Sequence, residues 1–262
     1  MTRRITKTSI VLISILFLGV FNANSQTIDS PKASLSLSII QNSGTNGSGI
    51  TYDSKRGLYY VVIAGNKSFP MEVFNSKGDN VFKTNAGSDM RGIWWNKKTK
   101  SIEGNCYGDG GIVSMKLDEN AHPSLGNTTI FDGNHQPDGN SCGAFDGKKN
   151  IYYFDGAGIH VYSRKTGELV SQINLQISNE QQENLNYTSV IYTGKKKMEI
   201  GLLDFVNKKV YLFNKKDGNL TATINLPSSA KTHESFRFGY ANNYVFIYGT
   251  DDRTWVGYRI FE

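Results

Sequence analysis

One hairpin sequence occurs twice in the chain, and a more divergent copy precedes both. VYSRKTGELVSQINL at residues 161–175 matches VYLFNKKDGNLTATINL at residues 210–226, and MEVFNSKGDNVFKTN occupies residues 71–85. In each copy, apolar residues recur at period two on both sides of a turn that contains glycine, which is the pattern of a β-hairpin. The chain is therefore predicted to be built from a repeated β unit.

A second kind of strand pair, formed around a lysine-rich turn, recurs as well. Its copies begin at Gly49, Gly92, Gly143 and Ser189, at intervals of 43, 51 and 46 residues, and a fifth begins at Phe238. A unit of four short strands that recurs about every 40–50 residues is typical of a β-propeller blade. We predict an all-β protein with the β-propeller fold and five blades. Six blades are the alternative if the insert at residues 176–186 contains another strand pair.

The two ends of the chain complement each other. After Phe238 the last unit has room for only three strands, so its fourth strand is missing. Residues 33–40, ASLSLSII, alternate serine with apolar residues, which predicts a single strand with one face to bury. Pairing of this N-terminal strand with the last unit would complete the blade and close the ring. Closure removes the exposed strand edges that invite aggregation, so we predict that the ring closes in this way.

This arrangement of units resembles secreted β-propellers of the broad NHL-repeat, YVTN-type and gluconolactonase-like superfamily. The resemblance lies in the repeat pattern and covers residues 26–262, and the Gly-His to Trp-Asp signature of WD-type propellers is not present. It implies a ligand or partner site at one mouth of the central channel, in the loops that lead into the innermost strands. Fold alone does not determine which function is placed there.

The first 25 residues have the layout of a secretory signal peptide. A basic start, MTRRITK, is followed by an apolar run at residues 9–21 and a small-residue cleavage site. The run is shorter than the roughly 20 apolar residues that a membrane-spanning helix needs, so we predict cleavage between Ser25 and Gln26. We expect a soluble monomer without a membrane span, exported to the periplasm or the extracellular space, with one domain at residues 26–262.

The net charge does not favour a nucleic-acid partner. The formal charge is +6, and it falls to +3 without the leader residues Arg3, Arg4 and Lys7. Lysine runs such as residues 195–197 lie at predicted turns, where a solvated hairpin tip is the expected role. A nucleic-acid surface would instead gather basic residues on one face with exposed aromatic side chains between them. We expect a protein partner or a small, carbohydrate-like ligand, and no nucleic acid.

Seven residues near the predicted starts of the innermost strands are candidate binding residues. They are three acids, an arginine, two histidines and a tyrosine: Asp89, Arg91, His135, Asp138, Tyr187, His233 and Glu234. Arg91 and Glu234 are the best candidates, because each directly flanks an innermost strand and neither is needed to cover an apolar face. Polar loop residues collect at the rim of any propeller, so a purely structural role stays the alternative.

A catalytic role is the alternative to binding. A cation-dependent hydrolase or lactonase of the gluconolactonase-like kind would need carboxylates and an asparagine around a divalent cation. The residues that could supply them are Asp89, Asp138, Asn140 and Glu234. No pair of these has a diagnostic spacing, and the four histidines lack the spacing of a zinc site. We assign no catalytic residue and expect no cofactor, with calcium as the open alternative.

The repeat pattern places Cys106 and Cys142 at the same end of neighbouring blades. Cys106 falls near the end of the second strand of one unit, and Cys142 lies just before the first strand of the next. A disulfide between them is chemically allowed in an exported protein. The alternative is a pair of unpaired thiols, one of them buried, and the sequence leaves both open.

Overall fold

The computed structural model describes residues 26–29, 31–41, 46–65, 70–123 and 126–262. The predicted signal peptide lies outside the described residues. Within them the chain forms 21 strands and one short helix. None of the described segments is a helix long and apolar enough to cross a membrane.

The strands follow the predicted units. Two strands precede the first unit: β1 (Gln26–Asp29) and β2 (Ala33–Ser38). The first unit contains β3 (Asn46–Asp53), β4 (Leu58–Ala64), β5 (Pro70–Phe74) and β6 (Asn80–Asn85). The second contains β7 (Met90–Asn96), β8 (Ser101–Cys106), β9 (Ile112–Lys116) and β10 (Thr128–Phe131). The third contains β11 (Ala144–Phe145), β12 (Asn150–Phe154), β13 (Ile159–Ser163) and β14 (Leu169–Ile173), followed by the helix α1 (Asn179–Glu183). The fourth contains β15 (Ile191–Tyr192), β16 (Ile200–Asp204), β17 (Lys209–Phe213) and β18 (Leu220–Asn225), and the last contains β19 (Phe238–Ala241), β20 (Tyr244–Gly249) and β21 (Thr254–Arg259).

The units form five separate sheets, the blades, numbered here in the order of their innermost strands β3, β7, β11, β15 and β19. Each innermost strand contacts the innermost strands of the two neighbouring blades, so the five sheets form a closed ring around a central channel. The predicted five-bladed β-propeller is confirmed. The insert at residues 176–186 contains the helix α1, whose N-terminus is closed by a capping box between Ser178 and Gln181, and adds no sixth blade.

The N-terminal strand closes the ring as predicted. β2 pairs antiparallel with β21, and this pairing places Leu37 opposite Trp255 and completes the fifth blade. Both side chains are fully buried. The observed strand, Ala33–Ser38, is two residues shorter than the predicted one.

The strand β1 was not predicted from the sequence. It pairs parallel with β18 as a fifth, outermost strand of the fourth blade. Its Asp29 accepts a hydrogen bond of 2.6 Å from the side-chain amide of Asn225. The N-terminal segment therefore pairs with the fourth blade through β1 and with the fifth through β2. A four-residue strand has too little periodicity to stand out in a sequence.

The core lies between the blades. Five clusters of buried apolar side chains occur among the described residues, one at each interface between neighbouring blades. β4 shows how a strand serves two interfaces at once, because successive side chains point to opposite faces of a sheet. Its Tyr59 and Val61 pack toward the fifth blade, whereas Tyr60 and Val62 pack toward the second. For this reason the sequence of β4 is a continuous run of apolar and aromatic residues.

The ring has two different faces. At the loop face the innermost strands begin and the chain passes from blade to blade. At the turn face the innermost strands end, and short turns join the first strand to the second and the third to the fourth. The hairpin that is repeated in the sequence joins the third and fourth strands, as predicted. Its glycine recurs because the turn needs a left-handed backbone: φ is +73° at Gly167 and +70° at Gly218.

Candidate functional site

The central channel contains a cavity of about 380 Å³, which is formed by the innermost strands and the turns that follow them. Glycines in these strands let their neighbours approach closely. A Cβ on Gly239 would lie 2.5 Å from Cγ2 of Ile50, and one on Gly49 would lie 3.0 Å from the backbone nitrogen of Ile93. Each blade also contributes one exposed turn residue to the lining: Ser54, Lys97, Gly147, Gly194 and Asn242. The cavity therefore opens at the turn face.

Seven of the described residues that line this cavity are aromatic. Each of the five innermost strands contributes one half-buried aromatic residue to the lining: Tyr52, Trp95, Phe145, Tyr192 and Tyr240. We call these five residues the aromatic ring set. Their rings are supported from behind: Tyr192 stacks on Tyr152 at 5.2 Å, and Tyr52 lies 4.5 Å from Tyr59 between ring centroids. The set is therefore held in place by the packing between blades.

The polar groups near the opening are mostly committed to the turns themselves. Among the described residues that line the cavity, Lys97 and Asp146 are the only ones with charged side chains. Oδ1 of Asp146 accepts hydrogen bonds from the backbone amides of Lys148, Lys149 and Asn150 at 2.8, 2.7 and 3.0 Å. Lys97 is exposed. The cavity thus offers flat aromatic surfaces with few fixed charges.

Hydrogen bonds join the blades all around the loop face. Each interface between neighbouring blades has at least one such bond, in which a backbone carbonyl oxygen accepts. The five pairs, donor first, are Arg237 N and Gly47 O (2.8 Å), Ser48 Oγ and Met90 O (2.9 Å), Asn105 Nδ2 and Ser141 O (2.6 Å), Cys142 N and Thr188 O (2.7 Å), and Asn186 Nδ2 and Phe236 O (2.8 Å). Buried amides that satisfy backbone carbonyls in this way rigidify the loops that carry them. These hydrogen bonds therefore fix the positions of the loops at this end of the channel.

Arg91 reaches across this end of the channel. It starts from the second blade, and its guanidinium lies 4.6 Å from the ring centroid of Tyr107 and 5.2 Å from that of Phe236, which precedes the fifth blade. These blades are not neighbours, because the first blade lies between them. Only 6% of Arg91 is exposed. The sequence suggests that Arg91 is not needed to cover an apolar face, whereas in the structure two aromatic rings enclose its side chain.

Asp89 is the ionic partner of Arg91. Its Oδ2 lies 3.0 Å from Nη2 of the arginine. Asp89 Oδ1 and Arg91 Nε are also buried, and neither has a hydrogen-bond partner among the described residues. Two of the seven candidate binding residues therefore interact with each other.

The remaining candidates lie in the connections between blades. The backbone amide of Tyr187 donates a 2.9 Å bond to the carbonyl of Glu234, and both residues are exposed. His233 is half-buried, and its Nδ1 accepts from the backbone amide of Ser235 at 3.2 Å. These three candidates are brought close together, and none of the three lines the cavity.

Two candidates, His135 and Asp138, form hydrogen bonds with backbone groups of nearby loops and turns. The ring nitrogens of His135 lie 2.8 Å from the carbonyl oxygen of Gly167 and 2.9 Å from that of Asp132, so the ring joins an interblade loop to an outer turn of the third blade. Asp138 accepts a 2.8 Å bond from the backbone amide of Asn140 within its own turn. None of the seven candidates lines the cavity, whose aromatic residues come from the innermost strands instead.

The two cysteines are free thiols, and both are buried. Burial raises the pKa of Cys106 to about 11 and that of Cys142 to about 12. Both lie close enough to Arg91 for its charge to act on them. Of the two alternatives, the structure contains the unpaired thiols.

The side chains that could bind a metal ion are dispersed over the described part of the chain. In the described ranges, no group of three or more His, Cys, Asp or Glu residues is arranged to hold one. The four residues proposed for a calcium site, Asp89, Asp138, Asn140 and Glu234, all lie in interblade connections rather than in the channel cavity.

The fold is shared with known structures, but no family is identified by sequence. No protein-family model and no curated protein matches the chain. Among solved structures 516 chains match, so the fold by itself selects no function. One of them is the glutaminyl cyclase of Myxococcus xanthus, which matches over 89% of this chain and 97% of its own with a TM-score of 0.59 and 8% identity. The resemblance to known propellers is therefore established at the level of the fold.

Proposed function

We propose that this chain is an exported β-propeller binding protein that holds a small ligand in its central channel. The observation that carries the proposal is the aromatic ring set, with one half-buried ring from every innermost strand around a cavity of about 380 Å³. The ligand enters at the turn face, where the cavity opens. Export is proposed on the N-terminal leader of the sequence.

The size and chemistry of the cavity indicate the kind of ligand. Its volume lies at the small end of the range of roughly 300–1,000 Å³ that ligand pockets span. Aromatic side chains give a large apolar contact area at low conformational cost. A ligand with a flat apolar face and a polar edge, such as a sugar ring, fits these surfaces.

Binding is better supported than catalysis because the acids are engaged elsewhere. Glu103 and Glu72 are fully buried, but they lie on the second and third strands of their blades and accept hydrogen bonds from several neighbours. Asp146, at the opening, supports its own turn. An acid–base catalyst needs a carboxylate within reach of the reacting group, and among the described residues that line the cavity Asp146 is the one acid.

Tryptophan fluorescence tests the proposal directly. The chain has three tryptophans. Trp94 and Trp95 line the cavity, whereas Trp255 is buried between blades. Titration with glucose, galactose, N-acetylglucosamine, glucuronate and galacturonate is expected to change the emission for at least one sugar. Phe145→Leu keeps apolar volume but removes a ring of the set, and it should weaken that binding at least tenfold.

The matched control is Tyr187→Leu, which removes an exposed aromatic ring from the loop face. It should leave the affinity unchanged within about twofold. Loss of binding in Tyr187→Leu with no effect of Phe145→Leu would move the site to the loop face and contradict the proposal.

A cation-dependent hydrolase or lactonase is the second candidate, since the glutaminyl cyclase that shares the fold is an enzyme. Such a site would use the acids of the interblade connections. Calcium would then raise the melting temperature by mass action, and Glu234→Gln would abolish the increase. An unchanged melting temperature at millimolar calcium is the result expected for the binding protein.

A further inference from the structure

The opening of the cavity is surrounded by basic side chains. Four of the five turns that follow the innermost strands together carry ten lysines and arginines: Lys55, Arg56, Lys97, Lys98, Lys100, Lys148, Lys149, Lys195, Lys196 and Lys197. Nine of the ten are exposed, and Lys195 is half-buried. We call this set the basic crown. From the sequence, each such lysine run is expected at a solvated hairpin tip, and the propeller topology brings these turns to one face.

Most of the basic crown is electrostatically unpaired. Arg56 pairs with Asp53 at 2.9 Å, and Lys195 lies 5.1 Å from the ring centroid of Phe261. The other eight lysines form no ion pair with any described residue. The acids in these turns are Asp146 and Glu199. A concentration of unpaired positive charge therefore encircles the entrance to the aromatic ring set.

The loop face has the opposite charge. Ten acids lie in its connections: Asp89, Asp109, Asp132, Asp138, Asp155, Glu180, Glu183, Glu234, Asp251 and Asp252. The basic residues that the structure describes in the same connections are Lys208, Lys231, Arg237 and Arg253. A charge distribution of this kind attracts an anion toward one end of the channel and repels it from the other. The net charge of the whole chain is small, so it does not reveal that positive and negative side chains lie at opposite faces.

We propose that the ligand of the channel is an anionic carbohydrate, with a sugar ring on the aromatic ring set and its carboxylate or sulfate groups on the basic crown. This inference rests on the proposed function. Free oligosaccharides and the end of a polysaccharide chain present the same chemistry to the site. Lysine suits this role because its flexible side chain can place the ammonium group beside an anion in many orientations.

The arrangement favours a sugar over a nucleic acid. A single-stranded nucleic acid needs successive exposed aromatic platforms along a basic groove. Among the described residues, the aromatic side chains that are largely exposed are Tyr107 and Tyr187, and both lie at the loop face. The basic face offers aromatic surface only inside the cavity, where the volume suits a small ring.

Two matched probes test the inference: tri-galacturonate and its methyl ester, which has the same rings without the charges. Tri-galacturonate should bind at least tenfold more tightly than the ester, and its affinity should fall with added salt. Lys97→Gln combined with Lys148→Gln should weaken the acid at least tenfold and leave the ester unchanged. Lys165→Gln combined with Lys216→Gln removes two exposed lysines from outer turns that do not line the cavity and should change neither affinity more than twofold.

The alternative outcomes separate this inference from the proposed function. Equal affinity for acid and ester, both weakened by Phe145→Leu, would overturn the anionic ligand class and support the channel site. Binding of the acid that is lost in the Lys97 and Lys148 variant but unaffected by Phe145→Leu would overturn the channel site. No binding of either trisaccharide, or tighter binding of AMP than of tri-galacturonate, would overturn the carbohydrate assignment.

Discussion

Leu37 lies opposite Trp255 in the pairing of β2 with β21, and both side chains are completely buried. The pair joins the N-terminal strand to the last unit and so closes the ring. Leu37→Ala should lower the free energy of unfolding by about 2–5 kcal/mol, as for other buried leucines. Ser36→Ala, at an exposed neighbouring position, should change it by less than about 0.5 kcal/mol. Urea denaturation of the two variants measures both values.

Removal of residues 26–41 extends this test to the whole closing segment. The truncated chain would expose the edges of β21 and β18, and unpaired strand edges promote association. We expect it to aggregate in size-exclusion chromatography. A truncated chain that remains monomeric and melts within a degree or two of the full chain would contradict closure by β2.

Arg91 and Glu234 should differ sharply in their effect on stability. Arg91 is enclosed by Tyr107 and Phe236 and pairs with Asp89, so Arg91→Ala should cost about 1–3 kcal/mol. Glu234 is exposed and its side chain has no partner among the described residues, so Glu234→Ala should cost less than about 0.5 kcal/mol. Thermal denaturation compares the two variants. Equal, small effects would mean that Arg91 does not hold the loop face together.

The fully buried Glu103 and the half-buried Arg164 form an ion pair between the second and third blades. Arg164 donates bonds of 2.7 and 2.8 Å to the two carboxylate oxygens of Glu103, which is fully buried. Arg164→Ala leaves a buried carboxylate without its partner and should destabilise the fold by about 3–5 kcal/mol. The double variant with Glu103→Gln should recover part of this loss.

The same pair predicts a pH dependence. Burial alone would raise the pKa of Glu103, but the ion pair with Arg164 and hydrogen bonds from Trp94 and Asn96 lower it below its ordinary value. Its stabilising contribution is therefore present above the unfolded pKa of about 4.3 and is lost as the pH falls through the lower folded pKa. In Arg164→Ala the pKa rises, so protonation relieves the penalty in acid. The stability difference between parent and variant should shrink from about pH 7 to about pH 4; a constant difference would contradict this.

Cys106 and Cys142 should resist alkylation in the native protein. Burial raises the pKa of Cys106 to about 11 and that of Cys142 to about 12, and the thiolate is the reactive form. Iodoacetamide at about pH 8 should label neither thiol until the protein unfolds, and both afterwards. Mass spectrometry of the purified native protein that shows a loss of two hydrogens would demonstrate the disulfide instead.

The architecture could be predicted because a propeller repeats its blade several times in the sequence. The glycine of the repeated hairpin is needed at Gly167 and Gly218 for backbone reasons, and the serine–apolar alternation of residues 33–40 marks a strand that buries one face. β1 could not be predicted, because four residues that pair with a distant strand carry no pattern of their own. A sixth blade would have needed a strand pair in the insert after the third blade. That insert contains the helix α1 instead.

The residues that line the channel cavity were not among the candidate binding residues that the sequence singled out. The sequence points to polar residues next to the innermost strands, but Asp89 and Arg91 neutralise each other and His135 is held by backbone carbonyls. The aromatic residues inside the innermost strands have the sequence pattern of packing residues. Whether a half-buried ring such as Trp95 faces a neighbouring blade or the channel depends on the tertiary arrangement. The lysine-rich turns are visible in the sequence, but their common face follows from the topology.

The central claim is that the ligand site is the aromatic channel rather than the loop face. Crystallographic screening with small ring-bearing fragments tests this most directly, because the fragments locate a binding surface even when the natural ligand is not among them. We predict that fragments cluster inside the channel, against Tyr52, Phe145 and Tyr192. Fragments that cluster around Tyr107 and Tyr187 at the loop face, with none in the channel, would contradict it.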